Sequence, residues 1–317
     1  MRIGAIDAFR GVSIVLMVFF KLISRLGHLP EVLRHNVSDT LHVGDFVLPM
    51  FLFASGMSLV FFHKKREKKE KTSYVLDIVE KIGKLVLISF LISPFSVGGI
   101  LEMDEVMLNA VLFVPAVLLV ALPEVVISAV ALLTLISYFI LLKSAMLPDF
   151  TAHYLGGYTA AVFYLPVMLG GVLTGKKISE RKNVDALILT TVALSIVLVA
   201  VIPVDKMSAT PSFMALSVVL SLLVYKLIEY AQKQTEKCLV WNYLEYLGKD
   251  PIRYWVLMFA ILIAPISFYA LYSGSGLPIG IEWKAAAIIS IICIPVLYFI
   301  SICVDIPLIY LRLKSRV

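Results

Sequence analysis

Ten apolar runs, separated by short segments rich in charge, Gly or Pro, constrain this chain more than any other feature. They lie near 8–27, 45–63, 74–95, 106–122, 124–143, 158–175, 184–203, 211–230, 252–272 and 284–305. A helix needs roughly 20 apolar residues to cross the hydrocarbon of a bilayer, where it must satisfy its own backbone hydrogen bonds. The expectation is therefore an all-α integral membrane protein. Residues 1–317 form a single domain, a bundle of about ten transmembrane helices. The division at Leu122-Pro123-Glu124 is the least secure, since a kinked or re-entrant segment reads the same way.

Composition agrees: 60% of residues are hydrophobic and only 16% charged, against near half and a quarter in soluble domains. The net charge of +6 follows topology rather than a polyanionic partner. Arg2, Lys64, Lys65, Arg66, Lys68, Lys69, Lys71, Lys176, Lys177, Arg181 and Lys182 fall on one side of the alternating spans. Lys233, Lys237, Lys249, Arg312, Lys314 and Arg316 join them, seventeen in all, against Arg25, Arg34, Lys143 and Lys206 opposite. The richer side is read as cytoplasmic, with both termini there, in a multi-pass protein of the cell membrane. The run HKKREKKEK at 63–71 is then a solvated loop beside the lipid, and no nucleic acid is expected. Asp7 and Arg10 ahead of the first run argue for an uncleaved first helix. Cys238, Cys293 and Cys303 form no CxxC pair and read as packing thiols.

Polar groups beside or inside apolar spans need a reason. Asp7 and Arg10 share one face of the first helix, as an interfacial ion pair or as a receptor for an anion. The loop between the first two spans holds His28, Arg34, His35, Asn36, Asp39, His42 and Asp45, with three of the five histidines of the chain. Histidine titrates near neutral pH, and a carboxylate can fix its tautomer, so the loop suits acid–base chemistry. A merely solvated loop stays open. The seven-residue spacing of the histidines suits no standard zinc motif, and no metal is expected. Pro49 and Gly56 interrupt the second span, as packing and kink residues or as the wall of a cavity.

The stretch IDAFRGVSIVLMVFF, the histidine loop and VGDFVLPMFLFASGMSL together resemble the opening of the heparan-α-glucosaminide N-acetyltransferase family. His35 precedes Asp45 by ten residues, the spacing that family uses for its catalytic histidine. Stretches 164–177, 208–225 and 246–257 agree more loosely. Lys21 stands where the family commonly has Asn, and the interval from there to His35 is about three residues longer.

The resemblance implies transfer of acetyl from cytoplasmic acetyl-CoA to an amino sugar or envelope glycan on the far side. His35 is the expected catalytic base or acyl carrier, with Asp45 orienting it. Lys21 and Asn36 are expected at the oxyanion or acceptor, and Arg10, Lys249 and Arg253 at the donor phosphates. Self-association is left open. A transporter or flippase without chemistry is the competing class, although no internal repeat relates the two halves.

Overall fold

The computed structural model describes residues 3–34, 41–66, 71–95, 103–144, 161–235, 238–274 and 276–314. Among them the chain is all helix. The helices are α1 Gly4–Leu26, α2 Val47–Arg66, α3 Lys71–Ile92, α4 Glu105–Leu119 and α5 Glu124–Lys143. There follow α6 Leu165–Ser179, α7 Asp185–Val201, α8 Pro211–Gln234, α9 Leu239–Lys249, α10 Pro251–Ser273 and α11 Trp283–Lys314. Among the described residues, five stretches are long and apolar enough to cross a membrane: Val43–Arg66, Glu124–Lys143, Pro211–Gln234, Pro251–Ser273 and Trp283–Val304.

Each apolar run corresponds to one helix, and the doubtful division at Leu122-Pro123-Glu124 is a true break between α4 and α5. Pro123 ends one helix and precedes the other, and Lys177 Nζ lies 3.0 Å from Glu124 Oε2 at the turn. The unforeseen element is α9. It has only 11 residues and is strongly two-faced, too short and too polar for a span, so sequence reading leaves it in a loop.

Side-chain pairs fix the up-and-down course of the chain. The start of α1 meets the end of α2 near Phe62 and Lys65. Ser89 of α3 bonds Asp104 just before α4, at the opposite end. Lys226 of α8 reaches Asp185 at the start of α7, back at the first end. The backbone N–H groups of Ile279 and Ile281, before α11, donate to the carbonyls of Arg25 and Leu26, at the last turn of α1. The bundle thus has an N-terminal end and a far end, and Arg25 and Lys206 of the far end are both buried in bonds within the fold.

Burial divides the helices by position. In the apolar windows of α2 and α8, 67% of residues are buried, against 17% in those of α5 and α11. The former make the centre and the latter present apolar surface to lipid. Cys293 is half-buried, but Cys238 and Cys303 are exposed, so the packing role expected of the thiols holds only for Cys293.

Central helices approach closely through glycine. A Cβ on Gly56 of α2 would lie 2.0 Å from the Met168 carbonyl oxygen of α6, and one on Gly171 would lie 2.0 Å from that of Phe53. The same device seats α9 on α1, where a Cβ on Gly11 would meet the Leu244 carbonyl oxygen at 2.0 Å. Gly56→Ala is expected to force α2 and α6 apart at a cost of about 1–3 kcal/mol. It should appear as a lowered unfolding midpoint in detergent; an unchanged midpoint would mean that the two backbones do not touch there.

Candidate active site

At the far end, the loop leaving α1 makes a short 3-10 turn, Glu31–Leu33, after Pro30. A second, Val43–Phe46, leads directly into α2. Asp45 organises that second turn. Its Oδ2 accepts the His42 backbone N–H at 2.8 Å, and its own N–H donates to the His42 carbonyl at 3.0 Å. Its Oδ1 lies 3.2 Å from Lys206 Nζ. Both side chains are buried, Asp45 completely. His42 is half-buried, and its Nδ1 is shielded from solvent with no hydrogen-bond partner.

Lys206 is held by a tightly bonded loop between α7 and α8. The Asp205 carboxylate accepts the N–H groups of Met207 and Ser208, each at 3.0 Å, and Thr210 Oγ1 caps α8 by accepting the Phe213 N–H. Tyr138 of α5 donates its hydroxyl to the Ser208 carbonyl. Burial pushes the Lys206 ammonium below the usual lysine range, while the Asp45 charge and hydrogen bond pull it back up. Glu105 raises it further and Lys21 opposes, which puts all four charges within one electrostatic neighbourhood.

Lys21 and Glu105 form the second pair of that neighbourhood. Lys21 Nζ lies 2.6 Å from Glu105 Oε1, with both side chains about nine-tenths buried. The ammonium also sits 5.6 Å from the Trp255 ring centre and 5.7 Å from that of Phe259. Phe259 opens a π-helical turn, Phe259–Ile263, in α10. Pro265 follows it, lacking an N–H and crowding the carbonyl of the preceding turn, which accounts for the irregularity. Asp104 caps α4 by accepting the Met107 N–H at 2.6 Å and the Ser89 hydroxyl at 2.9 Å. Burial pushes its carboxyl up against those bonds.

At the N-terminal end, α1, α2 and α3 enclose a cavity of about 450 Å³ walled by Arg10, Lys65 and Lys81 beside Phe61 and Phe62. Arg10 Nη1 lies 3.5 Å from Asp7 Oδ1, so the expected ion pair forms within the wall of the cavity. Arg10, Ile14, Met17 and Lys21 follow one another at helical spacing along one face of α1. Ile14 and Met17 line a narrower cavity with Phe51, Leu85, Val106, Pro251 and Ile252, and its polar walls are Glu105, Asn109 and Trp255.

The family model described as heparan-alpha-glucosaminide N-acetyltransferase, catalytic, matches residues 2–188, more than half of the chain. The chain belongs to that family. Its members are membrane acetyltransferases, and the matched part of this one runs from α1 into the start of α7. No curated protein matches the chain. The looser stretches at 208–225 and 246–257 lie outside the matched residues, and so do Lys206 and Trp255.

Within this acetyltransferase fold, the residues singled out from sequence separate into groups. Arg10 and Lys21 stand at the two ends of one face of α1, and Asp45 stands beside Lys206. His35 and Asn36 lie outside the described residues. Lys249 is exposed, and Arg253 Nε lies 3.5 Å from Asp250 Oδ2; neither lines the Arg10 cavity. Sequence reading missed Glu105, Asn109, Lys206, Lys65 and Lys81. A signal existed for the first two, since an acid and an amide at the head of an apolar run are costly without a partner. Lys21, which replaces the usual Asn of the family, is matched by Glu105.

Proposed function

We propose that this family member transfers acetyl from acetyl-CoA, entering at the N-terminal, cytoplasmic end, to the amine of an amino sugar or envelope glycan at the far end. The observation that carries this reading is the single face of α1, which links a basic cavity at Arg10 to the buried charges around Lys21. Eleven helical residues separate the two, about 16 Å at 1.5 Å each. A donor with phosphates at one end and a thioester at the other suits such a path. Arg10, Lys65 and Lys81 take the phosphates, and Lys249 and Arg253 add charge at the mouth.

At the far end His35 removes the proton from the acceptor amine as its nitrogen attacks the thioester carbonyl. The tetrahedral oxyanion is stabilised by Lys21 and Asn36. It collapses by breaking the C–S bond, and the departing thiolate takes the proton back from His35. Asp45 positions the loop that presents His35.

The test is incubation of the purified protein with radiolabelled acetyl-CoA and a panel of amino sugars. Labelled N-acetyl sugar is the expected product. Labelled protein formed without acceptor, and not formed by His35→Ala, would put the acetyl group on His35 first. Neither product nor binding of acetyl-CoA would overturn the reading in favour of transport. Arg10→Gln is expected to raise the KM for acetyl-CoA by about 10- to 100-fold with little change in kcat, the weight of a charge-assisted hydrogen bond.

A further inference from the structure

Away from the charged site, α5 to α8 leave a cleft of about 370 Å³. α5 rests on α6 and α7 on α8, with α6 against α8. The floor is Gly170 of α6 with Met214, Ala215 and Val218 of α8, all buried. Leu132 of α5 and Thr190 of α7 stand exposed on the two flanks, so the cleft opens between α5 and α7 on the outside of the bundle. Its hydroxyls are already used. Ser128 donates to the Glu124 carbonyl at 2.9 Å, Thr191 to that of Leu187 at 2.8 Å, and Thr190 to that of Ala186. What remains to line it is hydrocarbon, which water does not fill.

Its depth and size suit one kind of occupant. Lys177 marks the start of α5 beside Glu124, and Lys226 the start of α7 beside Asp185, both at the N-terminal end. The lining runs from Ser128 to Leu135 on α5 and from Leu187 to Leu194 on α7. At 1.5 Å per residue that is from about 3–6 Å to about 14–17 Å above the two helix starts, the nearer half of a hydrocarbon core about 30 Å thick. One turn of α-helix, about 10 Å across and 5.4 Å tall, fills more than the cleft holds, so a helix of a second copy cannot enter. A methylene is close to a water in size, about 30 Å³, so about a dozen carbons of a single chain fit.

The turn from α6 to α7, just below the cleft, is basic: Lys176, Lys177, Arg181 and Lys182. Each nearby acid already has a cation. Lys177 takes Glu124, Lys226 takes Asp185, and Lys182 Nζ lies 2.6 Å from Glu180 Oε2. Lys176 donates to the Leu122 carbonyl, and Arg181 is exposed. The turn therefore keeps an excess of positive charge at the level of lipid headgroups. We propose that the cleft holds one acyl chain of an anionic phospholipid, from the leaflet at the N-terminal end, with its phosphate beside Arg181 and Lys176. The chain completes the packing between α5 and α7, which the helices leave open.

Native mass spectrometry of the delipidated protein in detergent tests this, with phosphatidylglycerol, phosphatidylcholine and glycerol 3-phosphate as probes. One phosphatidylglycerol is expected to bind about tenfold more tightly than phosphatidylcholine, and glycerol 3-phosphate not at all. Arg181→Gln should weaken phosphatidylglycerol about fivefold, the weight of one cation at an anionic lipid, and adding Lys176→Gln should weaken it further. Ala131→Phe, which puts a ring into the cleft, should lose both lipids.

Equal binding of the two lipids by the parent, or phosphatidylglycerol binding unchanged by Arg181→Gln, would overturn the inference. So would retention of phosphatidylglycerol by Ala131→Phe, which would put the lipid elsewhere. Glycerol 3-phosphate bound as tightly as the lipid would reduce the site to its charges and overturn the role of the cleft. A parent dimer without lipid, dissociated by Ala131→Phe, would make the cleft an interface between copies instead. Should Ala131→Phe fail to fold, the three probes on the parent and on Arg181→Gln still decide. None of these readouts depends on acetyl transfer.

Discussion

His35→Ala is expected to lower acetyl transfer by about 10²–10⁴-fold, the usual worth of a positioned general base. Binding of acetyl-CoA should stay close to that of the parent, because the proposed donor contacts lie at the other end of α1. The informative companion is His42→Ala. His42 is the histidine whose backbone Asp45 fixes, and its Nδ1 is buried without a partner. If His42→Ala loses activity as deeply while His35→Ala does not, the base is His42, and the ten-residue spacing to Asp45 has misled. Loss in both variants would make them a relay. Measurement of kcat and of donor affinity on the same preparations separates these outcomes from a general loss of fold.

The second large effect is expected at Asp45. Lys206→Met takes away the ammonium 3.2 Å from a completely buried carboxylate, and Asp45→Asn takes away the carboxylate that faces a buried ammonium. Breaking one side of a buried pair costs about 3–5 kcal/mol, because the surviving charge stays desolvated. Each single variant should therefore unfold at clearly lower temperature in detergent. The double variant, Asp45→Asn with Lys206→Met, should recover much of that loss, since neither charge remains. The Asn side chain can still accept the His42 N–H, so activity is expected to return partly with stability. Single variants that unfold at the midpoint of the parent would show the two groups to be apart in solution.

The helices were largely legible in the sequence because a bilayer imposes a length and an apolar composition that each span must meet alone. That rule says nothing about a short two-faced helix, and α9 was accordingly missed. Asp45 was conspicuous too, at the mouth of the second span in a motif of consecutive residues. Its partner was not. Lys206 appears in the sequence as one isolated cation in an outer loop, and only the packing of α7 and α8 brings it to Asp45. Lys21 likewise reads alone as a departure from its family, whereas in the fold it is half of a pair with Glu105, 84 residues along the chain. Charge partners across a bundle are chosen by helix order and tilt, which local spacing does not encode. Lys249 and Arg253 illustrate the converse. Their place near the expected cytoplasmic edge did not bring them to the cavity wall, where Lys65 and Lys81 stand instead.

The bond between Asp45 and Lys206 also decides how this protein can be divided. The first six helices carry Lys21, Asp45 and Glu105, whereas Lys206 and Trp255 come from the later part of the chain. Neither portion alone encloses the charges or the narrower cavity beside them. A graft or truncation that kept only the recognisable first portion would keep the histidine loop and lose the cation beneath it. The unit that can be inherited, exchanged or engineered as a working catalyst is therefore the joined pair of portions, not the stretch that carries the family's signature.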